Sequence, residues 1–150
     1  MHTVSEVSLK YQTQTSFEEK PKISSPEQAH RFLKKIWDSD TIELREEFII
    51  VLLNHSKKVI GWSKVSTGGP FATIVHPTTV FQLILLGNAA SVILAHNHPS
   101  GTLKPSLADI ELTKRLSKAG KLFSIGVDDH IILTRDSYLS FREEGLMKEG

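Results

Sequence analysis

Three features of the chain predict a single α/β domain with a mixed β-sheet flanked by helices. Stretches with helical periodicity alternate with short apolar runs of strand length. Those runs are bounded by Asn, Asp, Gly and Pro, the residues that end strands and open turns. No internal repeat or low-complexity segment interrupts the 150 residues, which suffice for one domain with its own core.

Residues 4–12 alternate weakly, with Val7, Leu9 and Tyr11 on one face, and predict an edge strand or a docking arm. Residues 13–23 are polar, carry Lys20-Pro21-Lys22 and read as a linker, so residues 1–25 are expected to precede a domain spanning 26–150. Ser25-Pro26-Glu27-Gln28 is a helix start, with Ser25 as cap and Gln28 completing a capping box. Ala29, Phe32, Leu33, Ile36 and Trp37 then recur at helical spacing, and Asp38-Ser39-Asp40 ends the helix. Residues 48–53 form a buried strand, residues 54–58 a hairpin-like turn and residues 59–65 the returning strand, which Gly68-Gly69-Pro70 breaks. Residues 73–75 are a candidate short strand.

A second helix is expected from Pro77-Thr78 to Gly87-Asn88. It is apolar all round, which predicts burial on both sides, with a dimer contact as the alternative for one face. Residues 91–95 form the next buried strand. A third helix runs from Ser106 or Leu107 to Ala119, with Ala108, Leu112, Leu116 and Ala119 as its buried stripe and Gly120 as its stop. Residues 123–127, 131–134 and 138–141 close the set as strands.

Composition narrows the function. Eighteen basic and seventeen acidic residues leave a net charge of +1, which gives no bulk affinity for nucleic acid and leaves only a local patch. The absence of cysteine excludes disulfides, thiolate zinc sites and a cysteine nucleophile. No apolar run approaches the ~20 residues of a membrane span. The N-terminus lacks a signal-peptide pattern, so the cytoplasm is the expected location.

The chemistry concentrates in His96-Asn97-His98-Pro99-Ser100-Gly101, followed by Ser106 and Asp109. His96 and His98, at i and i+2, point to the same side of an extended strand. Asp109 falls in the first turn of the third helix, where it also fits a capping box with Ser106. Two imidazoles and a carboxylate converging on one point make a three-ligand zinc site with a fourth position for water. A hydrolytic site of this kind needs a base that is not a ligand, and Glu46 and Glu47, just before a buried strand, are the candidates.

His96-x-His98, seven residues, Ser106, two residues and Asp109 resemble the JAMM motif of the JAB/MPN metalloprotease superfamily. His96-Asn97-His98-Pro99-Ser100-Gly101 resembles its RadC branch most closely. So do Arg45-Glu46-Glu47-Phe48, Val75-His76-Pro77, Asp109-Ile110-Glu111-Leu112-Thr113, Asp129-His130, Ser140-Phe141 and Glu144-Gly145-Leu146, and the likeness covers roughly residues 40–147. The resemblance implies a cytidine-deaminase-like architecture and zinc held by His96, His98 and Asp109. It also implies that Ser106 helps stabilise a tetrahedral intermediate and that Glu46 is the catalytic glutamate, with Glu47 as the alternative. A one-residue change of register would exchange those two glutamates. Asp128 departs from the pattern, standing where relatives commonly carry a hydrophobic residue. The length leaves no room for a helix-hairpin-helix region, as in the short RadC-like proteins.

Three functions follow. A zinc-dependent peptidase or isopeptidase acting on a protein or peptide substrate fits the motif best. A metal-dependent nuclease or DNA-repair protein is the second, for which Lys114, Arg115, Lys118 and Lys121 cluster on the third helix, where an ordinary solvated face is the alternative. Glu111 pairs part of that face with Arg115. A non-catalytic binding module is the third, disfavoured because all the ligands are present. His96-Asn97-His98 is not the signature of HNH nucleases, whose three residues are separated.

Overall fold

The computed structural model describes residues 4–8, 10, 12, 15, 16, 18–69 and 74–148. Helix α1 (Pro26–Ile36) leads into strands β1 (Glu47–Leu53) and β2 (Val59–Thr67), then helix α2 (Pro77–Leu86) and strand β3 (Ser91–Asn97). Helix α3 (Leu107–Leu122), strand β4 (Gly126–Leu133) and strand β5 (Tyr138–Ser140) complete the order. The five strands form one sheet in the order β2-β1-β3-β4-β5. Only the β3–β4 pair is parallel, and α3 makes the crossover between them. This is the mixed α/β sheet the sequence predicts.

Period-two alternation divides the core. Ile49, Val51 and Leu53 of β1, Ile93 and Ala95 of β3, and Ile131 and Leu133 of β4 pack with Ala29, Leu33 and Trp37 of the α1 segment. Phe48, Ile50 and Leu52, with Val92 and Leu94, face the other way onto Val80 and Ile84 of α2 and Leu116 of α3. The sheet is thus covered on both faces, which explains why β1 and β3 read as unbroken apolar runs.

Local chemistry sets the ends of α1. Ser25 Oγ accepts from Gln28 N, as expected of a cap. The return bond of the expected capping box goes one residue further out, because Gln28 Oε1 accepts from Ser24 N at 2.8 Å. The supposed linker is docked at its end. Lys22 bridges to Lys58, and Ile23 enters the core. Residues 4–8 form no strand, and Val4 and Val7 are exposed, while Leu9 and Tyr11 lie outside the described residues. Ile74 and Val75 are not in a strand either, and Thr73 lies outside the described residues.

Three further expectations are corrected. Helix α2 is buried on one side only, with Val80 and Ile84 inside but Leu85 and Leu86 48% and 64% exposed. Helix α3 runs through Gly120 to Leu122, and its buried stripe is Thr113, Leu116 and Gly120, with Ala108 exposed. Gly120 is an approach point and not a stop, since a Cβ there would stand 2.4 Å from Ile125 O. The turn that ends the helix comes later, at Ser124 with φ 57°. Finally, residues 126–133 are one strand where two were expected. Asp129 and His130 pair with Ile93 and Leu94 of β3, Asp128 is passed over at a register shift, and side-chain bonds hold the acids in place. Asp128 meets Lys57 and Ser91, and Asp129 accepts from Ser140 Oγ, His130 N and Arg142 N.

Replacing Gly120 tests that close approach. Alanine is the better helix former by ~1 kcal/mol, yet Gly120→Ala should destabilise the protein by about 1–3 kcal/mol through overpacking, read as a lower urea midpoint. Unchanged or raised stability would show that α3 does not press on the Ile125 backbone.

Candidate metal centre

The C-terminal end of β3, the entry to β1 and the first turn of α3 meet at one point. In the antiparallel β1–β3 ladder Phe48 lies opposite His96, so residue 46 falls beside the turn that follows His96. The backbone of Glu46 is clamped by bonds to and from the glycines after β2, Gly68 N to Glu46 O at 2.8 Å and Glu46 N to Gly69 O at 3.1 Å. His98 N donates to Leu133 O at 2.9 Å, which holds the residue after β3 against the end of β4.

His96 Nε2 and His98 Nε2 are 2.9 Å apart. Asp109 Oδ2 lies 3.3 Å from His96 Nε2 and 3.7 Å from His98 Nε2. Glu46 Oε1 is 3.8 Å from His96 Nε2, and Glu46, His96 and His98 place ligand atoms within 4.8 Å of one another. The same Asp109 Oδ2 accepts from Ser106 N at 3.0 Å, while Ser106 Oγ accepts from Asp109 N. The capping box and the approach to the imidazoles therefore coexist, and the helix N-terminus favours the carboxylate. Capping leaves Ser106 its own hydroxyl proton to donate.

The two glutamates are separated by the pleat. Glu46 turns to His96. Glu47 turns to the α1 face, where Thr41 Oγ1 donates to it at 2.7 Å and Lys64 forms an ion pair with it. Burial pushes the Glu46 carboxyl up, against the lowering effect of the His96 and His98 charges. Burial also acts upward on Glu47, but its bonds with Lys64 and Thr41 outweigh it and bring the pKa down.

The donor set suits a cation. His98 Nδ1 is 2.6 Å from Thr102 O, a group that can only accept, so Nδ1 carries a proton and Nε2 presents its lone pair in the neutral ring. Two Nε2 atoms and a carboxylate oxygen crowd one point, and such a cluster repels itself unless a proton or a metal ion lies between. Ligands at Zn–N distances of ~2.0–2.1 Å around a tetrahedron sit about 3.3 Å apart, close to the spacings here. The residues fit a metal.

Two supports are not evident from the local motif. Asn97 points to the face opposite His96 and is fully buried. Its Oδ1 accepts from Glu47 N at 2.7 Å, and its Nδ2 donates to Ile42 O and Arg45 O at 2.7 and 2.9 Å, fastening the segment that carries Glu46. The alternation that pairs the two histidines is the signal that sets Asn97 on the other side. His130, from β4, contacts His96 Nδ1 through its Nε2 at 2.8 Å, and burial holds its pKa well below the ordinary value. Asp129-His130 stood out only through the family resemblance, because a contact across 34 residues leaves no periodic trace.

Comparison with known proteins agrees with this geometry. Residues 23–146 match the RadC-like JAB domain family. The chain is similar to a UPF0758 protein of Flavobacterium johnsoniae, at 46% identity over 67% of this chain and 44% of that protein. It is 41% identical to one from Rubrobacter xylanophilus over 85% of this chain and 55% of that protein. A relative from Clostridium acetobutylicum is 39% identical over 95% of this chain and 60% of its own length. The chain thus spans about half the length of the curated relatives it matches, and their shared name assigns no activity. Among the described residues no helix is long and apolar enough to cross a membrane.

Asn97→Ala should cost about 2 kcal/mol or more, because it leaves a buried N–H and two carbonyls without partners; a urea midpoint equal to wild type would show that the segment before β1 is held by other means. A second measurement concerns charge. Contact with Asp109 raises His98 above the ordinary 6.5, against the opposing effect of burial. Burial raises Asp109, but the His96 and His98 rings in their charged forms outweigh it and hold the carboxyl well below the usual carboxylate range. The raised His98 pKa stabilises the metal-free fold fully below pH 6.5, and this is lost as pH rises through the folded value. The lowered Asp109 pKa stabilises fully above 3.8 and is lost as pH falls through the folded value. Chelator-treated protein should therefore lose stability as pH rises past 6.5, and Asp109→Asn should flatten that slope in urea unfolding. An equal slope in both proteins would assign it to another group.

Proposed function

The chain belongs to the RadC-like JAB domain family, and we propose that it is a zinc-dependent hydrolase of peptide or isopeptide bonds. One observation carries the reading: Glu46, His96 and His98 converge at the end of β3, with Asp109 facing both imidazoles from the first turn of α3. His96, His98 and Asp109 would hold the ion. Zinc supplies Lewis-acid chemistry, acidifying water to a pKa of ~7 and polarising a carbonyl.

The chain's own residues do the rest. Glu46 takes the proton of the attacking water and returns it to the leaving amine. Burial raises its pKa, the direction that suits such an exchange. Ser106, whose Oγ is held at the cap by Asp109 N, donates its hydroxyl proton to the developing oxyanion. A protein or peptide chain is the expected partner.

A second reading rests on one patch. Lys114, Lys118, Lys121 and Lys148 line a groove of about 450 Å³ that also includes Thr113, beside the centre. Such a groove would suit a polyanion, and the second reading is a metal-dependent DNA-processing activity. The near-neutral net charge weighs against it, as does the single cluster of ligands found among the described residues, since phosphodiester hydrolysis often uses two metal ions.

The purified protein should hold about one zinc per chain, and His98→Ala should lose it in elemental analysis. Equal zinc in both would remove His98 from the ligand set. Glu46→Gln should keep zinc and lose about 10²–10⁴-fold in hydrolysis of a peptide library. Loss of zinc from Glu46→Gln would make Glu46 a ligand. Wild-type turnover in Glu46→Gln together with a dead Glu47→Gln would move the base to Glu47. Cleavage of single- or double-stranded DNA that vanishes in Asp109→Asn, with no peptide cleavage, would replace the peptidase reading with the nuclease.

A further inference from the structure

We propose that Thr113 and His130 are positioning residues that set the tautomer and orientation of His96, so that its Nε2 lone pair faces the metal. The proposal rests on the metal-site reading above.

Thr113 Oγ1 lies 2.7 Å from Asp109 O, one turn earlier on α3, and 2.7 Å from His130 Nδ1. A backbone carbonyl only accepts, so the single hydroxyl proton of Thr113 goes to Asp109 O. The hydroxyl oxygen must then accept at its other contact, which places the proton of His130 on Nδ1. His130 is fully buried, and its ring contacts are His96, Thr113, Phe48 and Phe141, none of them acidic. A neutral imidazole has one N–H, so His130 Nε2 is an acceptor. It faces His96 Nδ1 at 2.8 Å, so His96 donates from Nδ1 and keeps Nε2 free of a proton. That Nε2 is the atom 2.9 Å from His98 Nε2 and 3.3 Å from Asp109 Oδ2.

The links close a ring. It begins at the backbone carbonyl of Asp109, passes through Thr113, His130 and His96, and returns to the Asp109 carboxylate. One residue of α3 thus supplies both a candidate ligand and the acceptor that orders the other side of the centre. Rotation of the relay is blocked as well. Phe141 stacks on His130 at 4.5 Å, Phe48 meets it edge-on at 5.5 Å, and Phe48 also stacks on His96 at 5.9 Å. Packing against two phenyl rings does not by itself call for an imidazole at His130. Both of its nitrogens are used.

The test uses the full chain, with nitrogen-15 long-range NMR on metal-free protein and zinc affinity by competition with a chelator. In wild type, His96 is expected as the Nδ1–H form. Thr113→Val removes the relay's first link at nearly constant volume. It should mix the His96 tautomers and weaken zinc binding about 10–100-fold, while Thr113→Ser should stay near wild type. His130→Phe should lose a similar factor, and His130→Gln, whose amide oxygen can accept from His96 Nδ1, should lose less. An Nε2–H form of His96 in wild type would overturn the proposal. So would wild-type zinc affinity in folded Thr113→Val and His130→Phe. A wild-type protein that binds no zinc would overturn the metal reading instead, and the NMR pattern would still decide the arrangement of Thr113, His130 and His96.

Discussion

The register of β1 on β3, with Phe48 opposite His96, is the constraint on which the rest depends. It sorts the two cores, sending Ile49, Val51 and Leu53 to α1 and Phe48, Ile50 and Leu52 to α2 and α3. It also sorts the polar residues at the strand ends. Glu46 shares the face of Phe48 and meets His96, while Glu47 shares the face of Ile49 and meets Thr41 and Lys64. A slip of one residue would exchange these assignments and turn every apolar side chain of β1 to the wrong layer. Burial on both faces therefore fixes the site's geometry as firmly as it fixes the core.

Polar groups continue that alternation past the point where the apolar residues stop. His96 and His130 extend the α3 face, Asn97 the α1 face. Each is buried and each finds partners, which is the condition for tolerating polar atoms in such a place. Asn97 uses its amide on three backbone groups of residues 42–47, so the segment bearing Glu46 is tied to the strand bearing the histidines. Gly120 does comparable work at the other end of α3. Without a Cβ it lets the helix lie against Ile125, and a helix held close to the sheet keeps its first turn, with Asp109, against the end of β3.

What the sequence disclosed follows from the range of each signal. The strands β1 and β3 and the start of α1 were legible because their patterns are local. So was the convergence of His96, His98 and Asp109, because strand and helix periodicity relate them within a few turns of chain. Glu46 came through resemblance, and the pleat separates it from Glu47 only once the register is known. The misreadings share one cause, which is tertiary pairing that a local pattern cannot carry. Residues 128–130 were left out of the expected strands because their partners lie on other elements. Gly120 suggested a stop because its close neighbour, Ile125, follows only after the chain reverses. Helix α2 was expected to be covered on both sides because its composition does not reveal which face the sheet takes.

The two carboxylates at the centre are differentiated by surroundings and not by kind. Asp109 stands at a helix N-terminus, bonded by Ser106 N and faced by two imidazoles, and its carboxyl is held well below the usual range. Glu46 is brought in from β1's entry, its carboxyl is raised by burial, and it approaches His96 at 3.8 Å. A group kept ionised is suited to hold a cation. A group whose proton affinity has been raised is better suited to exchange one. Environments that push two neighbouring carboxyls in opposite directions are the usual physical basis for separating such roles in one site. The proposed roles, Asp109 as ligand and Glu46 as base, follow that separation, and it arises from the same β-sheet register that assembles the core.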